Sequence, residues 1–466
     1  MAGSGRRCVS TSSERFAPDP YTPTNGSTSY RVDHYDLALD YRLASNRLAG
    51  RAALTVTAHR GLHHVELDLE GLRTTRVTSD VVRIRSFKDR GGKLVITFRD
   101  PVPAGATFRL DIRYEGNPRP LTGMWGEIGW EELTDGVLVA GQPTGAPSWF
   151  PCNDHPSQKA AYRIAVTTDA GYRAVCNGVL VSRVDRSSRT TWTYEQAEPM
   201  ATYLATVQIG RYALVALNDP AGPAVGLPAV GAPRVQRPEG APVPVYAAVP
   251  PSLAPAAKAS LVRQHRMMSV FEECFGPYPF AQYLVVVADD DLEIPLEAQT
   301  LAIIGRNHLD LGWDAQRLIA HELAHQWFGN SVTAARWQDI WLHEGFACYA
   351  EWIWSEASGA TTADAHARSA HQRLDRLPQN LVLADPGADD MFDDRVYKRG
   401  ALTLHALRKA AGDDAFFALL RAWSTEQRYG TTTTADFIAF AVHTLPGAGV
   451  GDLLVRWLLS RRLPDL

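Results

Sequence analysis

The 466-residue chain contains no stretch of about 18 or more consecutive apolar residues, the length a helix needs to cross a bilayer, so no membrane span is expected. Its start, MAGSGRRCVSTSSERF, carries positive charge but not the apolar core of a signal peptide. No Cys-x-x-Cys pair occurs: Cys8, Cys152, Cys176, Cys274 and Cys348 are odd in number and scattered, which predicts free thiols in a reducing compartment. The expected location is the cytoplasm. Basic charge is not in excess either, with 47 Lys and Arg against 51 Asp and Glu and a net charge of -4, so the footprint that neutralises nucleic acid phosphates is missing. No repeat of solenoid type is found.

What is present is an ordinary globular composition, 45% hydrophobic and 21% charged, in a chain long enough for two or three domains. Residues 1–20 are rich in Ser, Pro, Asp and Arg without apolar periodicity and read as a flexible leader. Then Tyr35, Leu37, Leu39 and Tyr41 alternate with polar neighbours, as do Val65, Leu67 and Leu69, then Phe108, Leu110, Ile112 and Tyr114, then Tyr162, Ile164 and Val166. Period-2 runs bounded by Gly, Asn or Pro predict half-buried antiparallel sheet, hence a β domain over 21–212. Residues 218–244, dominated by Pro, Gly, Ala and Val, read as an exposed connection inside a second domain over 213–466. Met267, Met268, Phe271, Cys274 and Phe275 fall on one helix face before Gly276 and Pro277, and helical texture dominates from there.

The chemistry concentrates in His321-Glu322-Leu323-Ala324-His325, which fits the metallopeptidase pattern H-E-x-x-H. On a helix, residues four apart share a face, so two imidazoles can meet one ion while Glu322 projects beside it toward a bound water. Asp314 as cap and Gly329 as terminator place the motif in mid-helix. By itself the pentapeptide also fits two helix-surface histidines. Against that, Trp341-Leu342-His343-Glu344-Gly345 supplies a carboxylate eighteen intervening residues beyond His325, on the next predicted helix. Two histidines and Glu344 leave one zinc ion per chain an open position for water, the arrangement of a catalytic site. Glu351, two turns on, lies on the face of Glu344 and is placed to accept a hydrogen bond from a ligating imidazole, or else is a solvated glutamate. His343 points about 100° away and reads as structural. Cys348 reads as a small buried residue.

These segments resemble the aminopeptidase N family of zinc peptidases, which includes leukotriene hydrolases. HELAHQWFGNSVT followed by WQDIWLHEGFACYAEW is close to that family's zinc signature, with His343 where Asn is usual. FGPYPF at Phe275–Phe280 and SWFPCNDHPSQKAAY at Ser148–Tyr162 resemble two further family segments. The resemblance implies a saddle-like, β-rich N-terminal domain followed by a mainly helical, thermolysin-like catalytic domain. It implies that Tyr397, in Val396-Tyr397-Lys398-Arg399-Gly400-Ala401, is the catalytic tyrosine that stabilises the oxyanion. The family's Gly-x-Met-Glu-Asn signature corresponds to Ile294-Pro295-Leu296-Glu297-Ala298, where only Glu297 survives, the carboxylate that holds the substrate's free ammonium group. Gln142 falls where the family has Glu or Gln beside that ammonium. The chain stops at Leu466, which implies a short form without the family's C-terminal helical domain.

The expected function is therefore a zinc aminopeptidase acting on peptides with a free N-terminus, with Glu322 as the base and no nucleic acid or membrane partner. Oligomeric state stays open. A thermolysin-like endopeptidase shares the metal set, although Glu297 argues against it; epoxide hydrolysis at the same zinc has no specific support. A catalytically silent scaffold of the same fold is the reading from outside enzymology.

Overall fold

The computed structural model describes residues 17–217, 226, 241–445, 447 and 449–466. The alternating runs are strands with their apolar members inside: Tyr35, Leu37 and Leu39 of strand Tyr30–Arg42 pack on the same face as Tyr162, Ile164 and Val166 of strand Lys159–Asp169. Those two strands pair in parallel, Tyr35 opposite Tyr162 with rings 4.9 Å apart and stacked, in a seven-stranded sheet that is otherwise antiparallel. The sequence suggested antiparallel pairing throughout. Neighbours so far apart in the chain need no hairpin, so alternation alone cannot fix strand direction. A five-stranded sheet and a three-stranded sheet complete this β-rich part.

The helical part carries its own five-stranded sheet, ordered Ala213–Ala216, Val245–Val249, Tyr283–Ala288, Leu301–Gly305 and, at the edge, Leu296–Ala298. The apolar face centred on Met267 and Phe271 forms helix Gln264–Phe275, ended by Gly276 as expected. Helices Trp313–Ala324, Trp341–Ala357 and Asp394–Ala411 surround the site described below. Two of them touch at glycines: a Cβ on Gly345 would lie 2.7 Å from the Cα of Gly400, and one on Gly400 2.5 Å from the Cα of Gly345. Only glycine permits that approach, and it brings the second turns of both helices together.

The two parts are also joined by polar contacts. Lys159 reaches from its β strand into the loop after Trp313–Ala324, where Nζ donates to Asn330 O at 3.0 Å, Ser331 O at 2.9 Å and Thr333 Oγ1 at 2.9 Å. Asn177 Nδ2 donates to Gln299 O at 2.8 Å, and the Gly178 N–H to Thr300 Oγ1 at 2.8 Å. Of the expected leader, residues 1–16 lie outside the described residues, whereas Asp19 is buried and accepts the Trp337 N–H at 2.8 Å. Most of the expected connection at 218–244 also lies outside them. Among the described residues no helix is long and apolar enough to cross a membrane.

Candidate active site

His321 and His325 stand one turn apart, as the spacing requires, with ring centroids 4.8 Å apart. They do not stand in mid-helix. The helix starts at Trp313 behind Gly312, with Asp314 in its first turn, and ends at Ala324; His325 keeps helical dihedrals and bonds its N–H to His321 O at 3.2 Å. Beyond it Gln326 and Trp327 tighten to three-residue bonds, so the chain has left the α-helix before Gly329 is reached. Gly329, at φ +119, turns the chain where a Cβ would meet His325 Nδ1 at 3.2 Å.

Glu344 enters from the first turn of Trp341–Ala357, its N–H bonded to Ile340 O at 3.1 Å. Its Oε2 lies 3.3 Å from His321 Nε2 and 3.5 Å from His325 Nε2. The three donor atoms fall within 4.8 Å of one another and are buried. Both imidazoles spend their other nitrogen on fixed acceptors: His321 Nδ1 donates to Glu351 Oε1 at 2.9 Å and His325 Nδ1 to Phe328 O at 3.1 Å. That leaves both Nε2 atoms for a metal ion. Glu351, singled out from helix periodicity, is thus in contact with a candidate ligand. Its own charge is balanced by Arg317 at 3.5 Å and Lys398 at 3.8 Å, two partners that sequence reasoning missed. His343 accepts the Ala334 N–H on Nε2 at 2.7 Å and, with burial pushing its pKa down to about 3, is the neutral structural residue expected.

The cluster concentrates negative charge in a buried space. Burial opposes charge on His321, yet Glu344 and Glu351 raise its pKa to about 10; burial likewise opposes charge on His325, which Glu344 and Glu297 raise to about 9. Glu344, despite burial, is held well below the carboxylate range by His325 and His321. Burial lifts Glu322 to about 7, and its Oε2 is buried with no hydrogen-bond partner. The surrounding carboxylates, Glu344 with Glu351 for His321 and Glu344 with Glu297 for His325, favour protons on the two imidazoles. Two imidazole nitrogens and one carboxylate oxygen are the donors zinc takes at catalytic centres, and such an ion would displace those protons. The residues fit zinc.

Three further side chains were expected here. Glu297, on the edge strand Leu296–Ala298, is partly buried with its carboxylate within 4.8 Å of the Glu322 and His325 donor atoms. Burial raises its pKa first, and Glu344 adds to that. Tyr397 sits in the first turn of Asp394–Ala411, capped by Asp393, its ring nearly parallel to His321 at 6.0 Å. Burial, then Glu344, Glu297 and Glu322, keep its hydroxyl protonated well above the ordinary range, so it remains a donor. Gln142 follows strand Gly136–Ala140, with its Nε2 buried and unpaired.

The chain matches the Peptidase M1 N-terminal domain over residues 31–204 and the Peptidase family M1 domain over residues 260–457. The structure of an M1 zinc metallopeptidase from Deinococcus radiodurans superposes with a TM-score of 0.85 at 31% identity, covering 97% of this chain and 99% of that one. A mutant of that protein bound to a Tyr-Ser-Ala substrate superposes equally well at 30% identity. Leucyl aminopeptidase of Saccharolobus solfataricus is 22% identical over 93% of this chain and 54% of its own length. Aminopeptidase B of Rattus norvegicus is 26% identical over 77% of this chain and again 54% of its own. The chain thus spans about half the length of these curated relatives.

Proposed function

Because the chain belongs to the M1 family of zinc metallopeptidases, we propose that it is an aminopeptidase that removes N-terminal residues from peptides. The observation that carries this reading is the place of Glu297, a carboxylate within 4.8 Å of both Glu322 and a candidate metal ligand. A half-buried carboxylate there calls for a cation, and a substrate's α-ammonium supplies one. An endopeptidase would have an uncharged peptide at that point and would leave Glu297 unpaired.

In this reading His321, His325 and Glu344 hold zinc. Zinc, when bound, acidifies a water molecule and polarises the scissile carbonyl. Glu322 takes the proton of the attacking water and returns it to the leaving amine, a task suited to a carboxylate whose pKa burial has raised. The Tyr397 hydroxyl donates to the oxygen on which negative charge develops. Glu297, with the amide oxygen of Gln142, holds the ammonium so that the first peptide bond lies at the reacting atoms. The tripeptide Tyr-Ser-Ala bound by the Deinococcus protein has the chemistry this site would accept.

The same reading divides the chain into a β domain at 21–212 and a catalytic domain at 213–466, and each family model falls inside one of them. It places the protein in the cytoplasm, supported by the free thiols of Cys152, Cys176, Cys274 and Cys348.

The test is a panel of aminoacyl fluorogenic amides beside their N-acetylated copies, with a chelator control. The free amine should be preferred by well over about a hundredfold, since acetylation removes the charge and strands Glu297. Glu297→Ala should narrow that preference by at least about tenfold. Equal cleavage of free and acetylated substrates by the wild type would sink the aminopeptidase reading and leave the zinc site standing. Tyr397→Phe should lower kcat about a hundredfold with KM within a few fold, because the hydroxyl acts mainly in the transition state. A change in KM alone would make Tyr397 a binding residue instead.

A further inference from the structure

The strand that carries Glu297 is weakly held by its own sheet. Leu296–Ala298 is three residues long, lies at the edge and, among the described residues, pairs only with Leu301–Gly305. The tight turn between them passes through Gln299 and Thr300, and Thr300 has φ +74, a left-handed conformation that a β-branched residue rarely adopts. Such a turn persists only where its surroundings insist on it.

Asn177 and Gly178 hold one side of the turn through Gln299 O and Thr300 Oγ1, and a side chain from the metal side of the site holds the other. Gln326, next to His325 in sequence, is fully buried, and its carboxamide spans the turn: Oε1 accepts the Thr300 N–H at 2.8 Å and Nε2 donates to Ala298 O at 3.0 Å. The partners fix which end is oxygen and which nitrogen, because an N–H must face an acceptor and a carbonyl a donor. Asn330 Nδ2 adds a second bond to Ala298 O at 3.0 Å. One neutral group with a donor and an acceptor about two ångströms apart meets both needs; an apolar side chain of the same length meets neither.

We infer that Gln326 is a positioning residue, which sets the distance between Glu297 and the metal ligands and so decides how far from the bound ammonium the cleaved bond lies. The covalent link from His325 to Gln326 and the hydrogen bond from Gln326 to Ala298, the neighbour of Glu297, make the shortest connection between the two halves of the site. The inference rests on the proposed role of Glu297, and the experiment separates the two.

Zinc-loaded wild type, Gln326→Met, Gln326→Leu and Glu297→Ala are assayed on one aminoacyl amide and its N-acetylated copy, and bound zinc is measured for each. Methionine keeps the length of the side chain and leucine part of its volume, and both remove the carboxamide's hydrogen bonds to Thr300, Ala298 and Leu301. Gln326→Met should raise KM for the free amine about tenfold with kcat within about threefold, and should narrow the free-over-blocked ratio of kcat/KM about tenfold. Zinc content should stay stoichiometric. Because both substrates are cleaved by the same preparation, loss of correctly folded protein cancels in that ratio. If Glu297→Ala narrows the ratio but neither Gln326 variant does, or if rates on both substrates fall alike, Gln326 only supports the fold and the inference is overturned. An unchanged ratio in Glu297→Ala would overturn the role of Glu297 itself, and the inference with it.

Discussion

Glu322→Gln should turn over at about a thousandth of the wild-type rate while binding zinc as the wild type does. Glutamine has nearly the same shape, so the buried packing of Glu322 survives, and the two imidazoles and Glu344 are untouched. What is lost is a basic oxygen. In the wild type, Oε2 is buried without a partner, and burial has brought its carboxyl to about 7, so it can take a proton near neutral pH and give it up again. An amide does neither. Atomic absorption on the dialysed variant together with kcat on an aminoacyl amide reads both halves of this expectation, and near-normal turnover would remove Glu322 as the base.

His325→Ala should behave differently, losing zinc and activity together. The imidazole is one of only two nitrogen donors in the set, and it is held in place by Phe328 O. Alanine leaves His321 and Glu344 facing a gap that water would fill, and the charge balance moves toward the carboxylates Glu297, Glu322 and Glu344 with one fewer imidazole among them. Metal binding to such sites is coupled to complete, deprotonated donors. After dialysis against a mild chelator the variant should hold less than about a tenth of the wild-type zinc. Full occupancy would contradict the site, and the contrast with Glu322→Gln separates loss of metal from loss of proton transfer.

The metal half of the site was legible because its geometry is local. Residues four apart on a helix must share a face, which fixes His321 beside His325; the same rule applied to Glu344 and Glu351 found the carboxylate that meets His321 Nδ1. The helix ends were not legible. Asp314 and Gly329 carried plausible capping chemistry, but Gly312 fills the cap position, and the carboxamide of Gln326 and the turn around Asn330 draw the chain out of the helix early. Glu297, Tyr397 and Gln142 came from family resemblance, since a lone tyrosine or glutamate has no periodic signal of its own. Arg317, Lys398, Gln326 and Lys159 were missed for another reason: their partners are distant in the chain or are backbone atoms. A buried polar residue in an apolar stretch, such as Gln326 before Trp327 and Phe328, was the one available signal. In the β domain, alternation told inside from outside correctly and said nothing of strand direction.

The contact of Gly345 with Gly400 divides the site into a part that can drift over evolutionary time and a part that cannot. Gly345 adjoins the candidate ligand Glu344, and Gly400 lies one turn beyond Tyr397, so where these helices cross there is no room even for a methyl group. Any larger residue at either position would force the crossing open and carry the tyrosine hydroxyl away from the metal. The edge strand with Glu297 is under no such restriction: Ile294, Leu296 and Ala298 already stand where the resemblance puts Gly, Met and Asn, and the strand is tied down by side chains rather than by a backbone crossing. On the proposed aminopeptidase reading, new preferences for the N-terminal residue should arise by changes along that strand, with the helix crossing as the fixed frame.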